Sequence, residues 1–409
     1  MTGEQRMRTV AEHLAAALAL VDPVPPVETP LAAALGGWLS QDVASGQDLP
    51  RWDNSAMDGY AVRAADTADA GLRPVRLAVI ADLPAGSAQV PVVESGTAAR
   101  IMTGAPVPPG ADAIVPVEAT DGGTSTVLIC AAAPAGAHIR RVGEDLHMGD
   151  LVVSADTRLG ARHLAAIASV GVATVMVRRR PVVAVVSTGS ELVPAGAALG
   201  RGQIPDSNSV LLAAAVSSTG CTVERVGGVA DDPAAFSRVL AELDGAVDLI
   251  VTSGGVSMGA YEVVREVLGV LPTMAFVQVA MQPGKPQGLG TLPGGTPILC
   301  LPGNPVSAFV SFEVFVRPVL DCLAGRPDGP VGVLRATVDD EWRTPPGRAQ
   351  YMPVVVTGPE RDLRARRSVP GGSGSHLVAG LARADGLVIV PSDVERVHAG
   401  DQLDLVRTP

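Results

Sequence analysis

Aromatic residues are scarce in this chain of 409 residues: they make up 3% of the sequence, whereas hydrophobic residues as a whole make up 47%. The chain therefore holds enough apolar material for large cores, but those cores must be built from Ala, Val and Leu. At roughly 100–200 residues per domain, the length predicts two to four domains. Neither internal repeats nor low-complexity tracts appear.

Paired cysteines, clustered histidines and long apolar runs are also missing. None of the cysteines forms a C-x-x-C pair, and each lies in an apolar stretch, which predicts reduced, buried thiols in a cytoplasmic protein. The six histidines are scattered, so a zinc site is not expected. No segment reaches the ~18 uninterrupted apolar residues of a membrane helix. The four cysteines are Cys130, Cys221, Cys300 and Cys322.

Positive charge is in short supply as well. Lys plus Arg is 31 and Asp plus Glu is 42, which gives a net charge of −11. An acidic protein has no general attraction for nucleic acid or for an anionic membrane, so neither is expected as a partner. An anionic ligand would have to be held by local cations or by backbone N–H groups.

The N-terminal half is predicted to contain two interleaved domains. Val10, Leu14 and Leu18 recur at helical spacing, which indicates an amphipathic helix rather than a secretory signal. Further helix is expected at 31–39 and over 146–180, so residues 1–49 plus 146–180 are predicted to form a discontinuous helical linker or dimer domain. Residues 50–145 alternate short β-rich runs with Gly/Pro turns and are predicted to be an inserted β-rich domain.

Residues 181–326 alternate strands with helices, which predicts an α/β domain with a doubly wound parallel sheet. The last helix of this domain, 305–323, is apolar on almost every face. We therefore expect it to be buried in the core or in a subunit interface. Residues 327–409 return to short strands, which predicts a C-terminal β-barrel-like domain. The strands expected in the sheet are 182–187, 222–227, 249–253, 275–280 and 297–301, and the other helices lie near 207–219, 233–243 and 260–269.

Nearly every predicted strand of the α/β domain ends in a Gly-rich or acidic loop at the same sheet edge. Ligands in open α/β sheets bind at the carboxyl ends of the strands. Glycines let the backbone approach an anion, and helix N-termini supply free N–H donors. Any one such loop could be a structural turn, but five on one edge predict an anion-binding site. The loops are STGSE (187–191), GGVADD (227–232), SGGVSMG (253–259), PGKP (283–286) and LPGNPVS (301–307).

Charged residues in these loops refine the prediction. Clustered carboxylates beside a phosphate cradle favour Mg²⁺, and Glu191, Asp231 and Glu262 are the predicted ligands. For Asp206 and Asp232 helix N-capping is an equal alternative, since each directly precedes a helix. Lys285 lies between Gly284 and Pro286 on a stiff backbone, which favours contact with an anion.

Three further polar strings lie outside the α/β domain: DNSAMDGYA (53–61), IMTGAP (101–106) and RRVGED (140–145). Each alone is better interpreted as a turn. Together with STGSEL, IPDSN, SGGVSMG, PGKP, LPGNPVSA and GSGSH, however, they occur in the order found in the MoeA family, to which the gephyrin E-domain also belongs. The resemblance runs from about residue 10 to the C-terminus. SGGVS and LPGNPVSA alone would also fit the smaller pterin adenylyltransferase, but the NSAMDGYA and GED strings select the MoeA side.

The resemblance implies a molybdopterin molybdenumtransferase of molybdenum-cofactor biosynthesis. Such an enzyme binds adenylylated molybdopterin with a divalent ion, inserts molybdate and releases AMP. The resemblance also implies an elongated homodimer, whose active site lies between the sheet domain of one subunit and the flanking domains of the other. A pterin adenylyltransferase and recipient molybdoenzymes are the implied protein partners. The alternatives are a molybdopterin adenylyltransferase and a gephyrin-like dimeric scaffold.

The resemblance also assigns residues. Asp58, Asp145, Glu191 and Asp231 are implied to be catalytic. The implied substrate-binding residues are Thr103, Ser187, Gly189, Asp206, Gly254, Gly255, Ser257, Lys285, Pro302, Gly303, Asn304, Pro305, Ser307, Arg348 and Ser375.

Three positions depart from the family pattern. Gln282 stands where many members have Lys, Glu262 where relatives have Asp, and Pro353 where an Arg is common. All three are expected near the anion or metal site.

Overall fold

The protein is described by a computed structural model over residues 6–256, 262–326 and 332–408. This part of the chain forms two compact units. The larger unit combines the N-terminal stretch up to Val27 with the chain from Arg178 onward, and the smaller unit comprises residues 28–177.

The N-terminal helix α1 (Val10–Leu18) belongs to the larger unit. Thr9 and Glu12 form a capping box: the Glu12 N–H donates to Thr9 Oγ1 (3.1 Å) and the Thr9 N–H to Glu12 Oε2 (2.8 Å). The buried His13 meets the ring of Phe315 edge-on, with centroids 4.7 Å apart. The predicted helix is therefore confirmed, and it packs on helix 305–323 of the larger unit.

The smaller unit is built mainly from short strands. A five-stranded mixed sheet in the order β8-β5-β7-β6-β9 forms its centre, with β6 and β7 parallel and the other pairs antiparallel. Its elements are β1 (Pro26–Pro30), β2 (Trp38–Leu39), β3 (Val43–Ala44), β4 (Asn54–Ser55), β5 (Gly59–Val62), α2 (Ala64–Thr67), β6 (Val75–Leu83), β7 (Thr97–Ile101), β8 (Ala113–Pro116), β9 (Thr126–Ile129), β10 (Ile139–Arg140), β11 (Leu151–Val153), α3 (Ala161–Ser169) and β12 (Thr174–Arg178).

The expected helical linker contains less helix than predicted. Residues 31–39 form one 3₁₀ turn followed by β2, and within 146–180 only α3 is a helix. Leu39, Val153 and Ile167 share one core, so the two chain stretches do pack together, but around strands. Ala is a strong helix former, but intrinsic helix propensity is small beside tertiary interactions, and strand pairing overrides it here. The division of the chain into four domains, with the boundaries given above, stays a prediction.

The sheet domain of the larger unit carries a six-stranded sheet in the order β16-β13-β17-β21-β20-β18. Its elements are β13 (Val182–Thr188), β14 (Leu192–Val193), β15 (Ile204–Pro205), α4 (Ser207–Ser218), β16 (Thr222–Val229), α5 (Pro233–Leu243), β17 (Leu249–Ser253), α6 (Val263–Leu268), β18 (Ala275–Gln278), β19 (Met281–Gln282), β20 (Pro286–Thr291), β21 (Pro297–Leu301), α7 (Pro305–Ser311) and α8 (Arg317–Leu323). β16, β13, β17 and β21 are parallel, whereas β20 runs antiparallel to both neighbours. The predicted doubly wound α/β domain is therefore confirmed, and the one departure from its parallel sheet is the antiparallel strand β20.

Both faces of this sheet are covered, as a doubly wound fold requires. α7 and α8 are joined by a π-helical stretch, Phe312–Val316, into one long buried helix. Its apolar side chains pack against α1, α4 and the C-terminal domain of the same chain. The burial of helix 305–323 within the chain therefore removes it as an argument for a subunit interface.

The C-terminal domain is a closed five-stranded barrel in the order β24-β25-β22-β28-β26, closed by pairing of β26 with β24. Its elements are β22 (Leu334–Val338), β23 (Trp342–Arg343), β24 (Ala349–Thr357), β25 (Leu363–Arg367), α9 (Val378–Leu381), β26 (Gly386–Val390), β27 (Arg396–Val397) and β28 (Gln402–Arg407). β19 of the sheet domain pairs with β24, with Met281 opposite Ala349. This short pairing anchors the PGKP loop to the barrel strand that directly follows Arg348.

Two predictions from composition have different outcomes. No helix in the described residues is long and apolar enough to cross a membrane. Cys221 and Cys300 are buried and Cys322 is half-buried, but Cys130 is exposed, so the prediction of a buried thiol is wrong there.

Candidate active site

A polar cleft of about 700 Å³ lies in the larger unit, at the carboxyl edge of the sheet. The loops after β13, β16, β17 and β21 form its walls, and the PGKP loop before β20 adds another side. The barrel contributes Arg348, Ser373 and Ser375 from the same chain. A cleft of this size suits a small organic ligand with several polar groups.

Most of the predicted site residues line this cleft. They are Ser187, Gly189, Glu191, Asp206, Asp231, Gly254, Gly255, Glu262, Lys285, Pro302, Gly303, Asn304, Pro305, Ser307, Arg348 and Ser375. Ser257 lies outside the described residues. Asp58, Thr103 and Asp145 belong to the smaller unit.

Glycine is required where these loops approach one another. Gly254 has a φ of +98°, and a Cβ there would stand 2.9 Å from the carbonyl oxygen of Thr188. A Cβ on Gly303 would contact the Cα of Gly254 at 3.4 Å. The loops after β13, β17 and β21 are thus packed backbone to backbone, which leaves main-chain groups at the cleft wall.

Asn208 fastens these loops together, and the sequence analysis did not single it out. Its amide nitrogen donates to Ser253 Oγ (2.8 Å) and to the carbonyl oxygen of Gly303 (2.6 Å). The first turn of α4 is thereby tied to the loops after β17 and β21. The available signal was its place in the IPDSN string, beside the more conspicuous Asp206.

The acidic residues divide into capping and bridging groups. Asp206 accepts a hydrogen bond from the Ser209 N–H (3.0 Å) and Asp232 from the Ala234 N–H (3.0 Å), so both are N-caps. Asp231 instead exchanges two hydrogen bonds with Ser190: the Ser190 N–H donates to Asp231 Oδ2 (2.9 Å), and the Asp231 N–H to Ser190 Oγ (3.0 Å). This exchange joins the loops after β13 and β16 and leaves carboxylate oxygen at the cleft.

A metal site is only partly supported. Within the described ranges, no group of three or more Asp, Glu, His or Cys side chains is close enough to hold a metal ion. Glu191, Asp231 and Glu262 line one cleft but do not form a closed cage. Mg²⁺ commonly takes one or two carboxylates together with substrate phosphates and waters, and the oxygen donors present fit that mode.

Two cations face this otherwise neutral and acidic cleft, Lys285 and Arg348. Neither side chain forms a hydrogen bond or ion pair with any described residue, and both are half-buried. Lys285 is also the single lysine in a chain with 31 basic residues, which is visible in the sequence alone. Unpaired cations at a polar cleft indicate an anionic ligand.

The departures from the family pattern fall in different places. Gln282 and Glu262 line the cleft. Pro353 instead pairs with Leu387 inside the barrel and does not line the cleft, so the expectation that it lies near the anion site is wrong.

The polar strings of the smaller unit come together in space. The Thr103 backbone N–H and hydroxyl donate to Asp58 Oδ1 (2.7 and 2.8 Å), and this donation holds the pKa of Asp58 below its ordinary value. The Arg141 guanidinium donates to Asp53 Oδ2 (2.5 Å). The Asp145 N–H donates to the carbonyl oxygen of Leu49 (2.9 Å), and its side chain is exposed.

Comparisons with known proteins agree with this arrangement. Three family descriptions match in chain order: MoeA N-terminal region (domain I and II) over residues 8–171, probable molybdopterin binding domain over 184–321, and MoeA C-terminal region (domain IV) over 335–407.

Full-length relatives are similar as well. Molybdopterin molybdenumtransferase 2 of Mycobacterium tuberculosis is 45% identical over 98% of this chain and 99% of its own length. Molybdopterin molybdenumtransferase 1 of the same organism is 36% identical, with 98% of each chain covered. A crystal structure of a molybdopterin biosynthesis MoeA protein from Pyrococcus horikoshii superposes with a TM-score of 0.84 at 32% identity, covering 98% of this chain and 99% of the other. By sequence, domain order and fold, the chain belongs to the MoeA family.

Proposed function

We propose that this chain is a molybdopterin molybdenumtransferase. It binds adenylylated molybdopterin, inserts molybdate at the dithiolene and cleaves the pyrophosphate bond to release AMP and molybdenum cofactor. The observation that carries the proposal is the cleft at the carboxyl edge of the sheet, in which Lys285 and Arg348 face a polar space without partners among the described residues.

The cleft divides naturally between the two anionic substrates. Backbone groups of the loops at Gly189, Gly254 and Gly303 suit the pyrophosphate of the pterin nucleotide, because glycines allow close main-chain approach. Lys285 and Arg348 suit molybdate, a tetrahedral dianion, and Ser375 adds a hydroxyl. Asn304 Nδ2 donates to Ser375 Oγ (3.0 Å), which fixes that hydroxyl at the joint between sheet domain and barrel.

The acidic residues serve the hydrolytic half of the reaction. Asp231 and Glu191 present carboxylate oxygens to the cleft and are the proposed Mg²⁺ ligands, with Glu262 as the third. When bound, Mg²⁺ neutralises charge on the pyrophosphate. The two hydrogen bonds that Asp231 exchanges with Ser190 hold it in one position, so its oxygens are already oriented before substrate arrives. Asp58, Thr103 and Asp145 remain proposed functional residues of the smaller unit.

The competing activities are less well supported. A pterin adenylyltransferase would consume ATP, and its fold corresponds to the sheet domain alone, whereas here the barrel supplies Arg348, Ser373 and Ser375 to the cleft. A purely structural scaffold would have no need for two half-buried cations that face a polar cleft without a partner in the described part of the chain.

The proposal includes a cytoplasmic homodimer, with a pterin adenylyltransferase and recipient molybdoenzymes as partners. The dimer follows from the family resemblance. Light scattering at micromolar concentration should give about twice the 41.5 kDa chain mass, and a monomeric mass would contradict it.

The activity is tested by measuring AMP release from adenylylated molybdopterin, with and without molybdate and Mg²⁺. We expect AMP release to require both ions and to proceed without ATP. Consumption of ATP with unmodified molybdopterin would instead support the adenylyltransferase, and no turnover under any of these conditions would contradict both enzymes.

A further inference from the structure

A hydrogen-bond relay leads from the barrel interior to the wall of the cleft. Trp342 Nε1 donates to Gln350 Oε1 (2.8 Å), and Gln350 Nε2 donates to Ser373 Oγ (2.9 Å). The three residues are 8%, 5% and 6% exposed, so the relay is shielded from solvent. Ser373 is also a lining residue of the cleft, and neither the sequence analysis nor the family resemblance assigned it a role.

The direction of this relay is fixed by chemistry. An indole N–H can only donate, so it must face the amide oxygen of Gln350. The NH₂ group of Gln350 must then face Ser373, whose hydroxyl oxygen accepts. Within the described ranges, Ser373 donates its own proton to no residue, and the surroundings left to it are the cleft. Ser373 thus presents a hydrogen-bond donor there.

A donor at this position distinguishes between oxyanions. At neutral pH molybdate carries no proton, so all four of its oxygens only accept hydrogen bonds. Inorganic phosphate at the same pH keeps at least one O–H group, which needs an acceptor. Lys285 and Arg348 are donors without acceptor capacity. The amide of Gln350 occupies one of the two acceptor lone pairs of Ser373, so its hydroxyl has one donor and a single remaining acceptor site to offer to a ligand in the cleft.

We propose that Ser373 contacts the substrate oxyanion, and that Trp342 and Gln350 are positioning residues that hold its hydroxyl as a donor. Through this relay the cleft favours a fully deprotonated tetrahedral dianion over hydrogen phosphate. The inference rests on the proposed function in taking molybdate as that dianion.

The test is calorimetric titration of the full-length protein with molybdate and, separately, with inorganic phosphate. We expect Ser373→Ala to weaken molybdate binding by about tenfold, the lower end for a hydrogen bond to a charged group. Ser373→Thr keeps the hydroxyl and should retain most of the affinity. Trp342→Phe frees the Gln350 amide to turn over, so the preference for molybdate over phosphate should fall. Ser237→Ala is the matched control, because that hydroxyl donates to the Pro233 carbonyl oxygen on α5 and should leave both affinities unchanged.

A double mutant separates the relay from general loosening of the barrel. In the Ser373→Ala background, Trp342→Phe should cause no further loss of molybdate affinity, because the hydroxyl that Trp342 helps to position is already absent. A further loss of molybdate affinity as large as that caused by Trp342→Phe alone would overturn the positioning role of Trp342. Unchanged molybdate affinity in Ser373→Ala, with a wild type that binds molybdate, would overturn this inference and leave the proposed function intact. A wild type that binds no molybdate would contradict the proposed function itself.

Discussion

The polar motif residues of the two units differ in whether they have hydrogen-bond or ion-pair partners within the described chain. In the smaller unit, motif residues satisfy one another: Thr103 donates twice to Asp58, and Arg141 donates to Asp53. In the cleft of the larger unit, Lys285 and Arg348 have no partner among the described residues. Hydrogen bonds between motif residues stabilise a fold, whereas a cation without a described partner in a cleft indicates an anionic ligand. Motifs of similar appearance in sequence thus fall into different physical situations.

The largest expected effect is a loss of AMP release, and it should distinguish Asp231 from the adjacent Asp232. Asp231→Asn should reduce AMP release by roughly 10²-fold or more, as loss of a carboxylate at a reacting centre does. Folding should be unaffected, because the Asn side-chain oxygen can still accept from the Ser190 N–H. The measurement is AMP release at saturating substrate, with circular dichroism as the folding check.

Asp232→Asn is the matched control for that variant. Asp232 caps α5, and Asn is an equally good N-cap, so turnover should remain near wild type. Equal losses in the two variants would remove the distinction between bridging and capping carboxylates.

The next effect concerns stability and compares ion pairs in the two units. Arg317 donates to Glu313 through Nε (2.6 Å) and Nη2 (2.8 Å), and both residues are buried. Arg317→Met should destabilise the larger unit by ~3 kcal/mol or more, because Glu313 would remain buried without its partner. Arg141→Met breaks a largely exposed pair and should cost at most about 1 kcal/mol. Urea unfolding measures both, and similar losses would contradict the contrast.

A smaller effect is expected when a cation is added to the cleft. Gln282→Lys should lower the molybdate concentration for half-maximal cofactor formation a fewfold, roughly 1 kcal/mol for a partly exposed charge. The gain should shrink as salt rises, since a partly exposed charge is screened. Titrations at two salt concentrations check it, and an unchanged or higher molybdate requirement would show that Gln282 does not face the anion.

The smallest expected effect is a change in the pKa of Asp58 when one of its hydrogen bonds from Thr103 is removed. Thr103→Val removes the hydroxyl donor but keeps the backbone donor, so the pKa of Asp58 should rise part of the way toward its ordinary value of 3.8. A depressed folded pKa contributes stability that is present above the unfolded pKa and is lost as pH falls through the folded pKa. The variant should therefore lose that contribution at a slightly higher pH in acid. NMR titration of Asp58 measures the shift, and an unchanged pKa would mean that the backbone N–H acts alone.

The sheet domain was predictable because its strands are apolar runs that end in distinctive loops. The strand that was missed, β20, contains Gly288 and Gly290, which are poor strand formers. Their role is steric: a Cβ on Gly288 would stand 2.7 Å from the Phe276 ring, and one on Gly290 would stand 2.4 Å from the carbonyl oxygen of Thr273. Close packing against β18 and the turn before it therefore explains the glycines, and the residues of β20 alone carry no signature of that contact.

The same reasoning explains which site residues were found. Glycine, proline and acidic residues at strand ends carry a local signature, so most of the cleft could be predicted. Asn208 and Ser373 act through partners far along the chain, Gly303 and Gln350 respectively, and only the folded structure brings these pairs together. The helix predicted at 31–39 is absent because strand pairing outweighs the local Ala-rich pattern. Here a local signature was present, but it did not determine the structure.

Lys285 is the residue through which we propose that molybdate binds in the cleft of the larger unit. The most direct test is the molybdate dependence of AMP release for the wild type and for Lys285→Ala, at constant adenylylated molybdopterin. The variant should need at least about tenfold more molybdate for half-maximal release, because a charged hydrogen-bond donor is lost. Its affinity for the pterin nucleotide should change less, because other loops hold the phosphates. An unchanged molybdate dependence would place the oxyanion elsewhere and contradict the account.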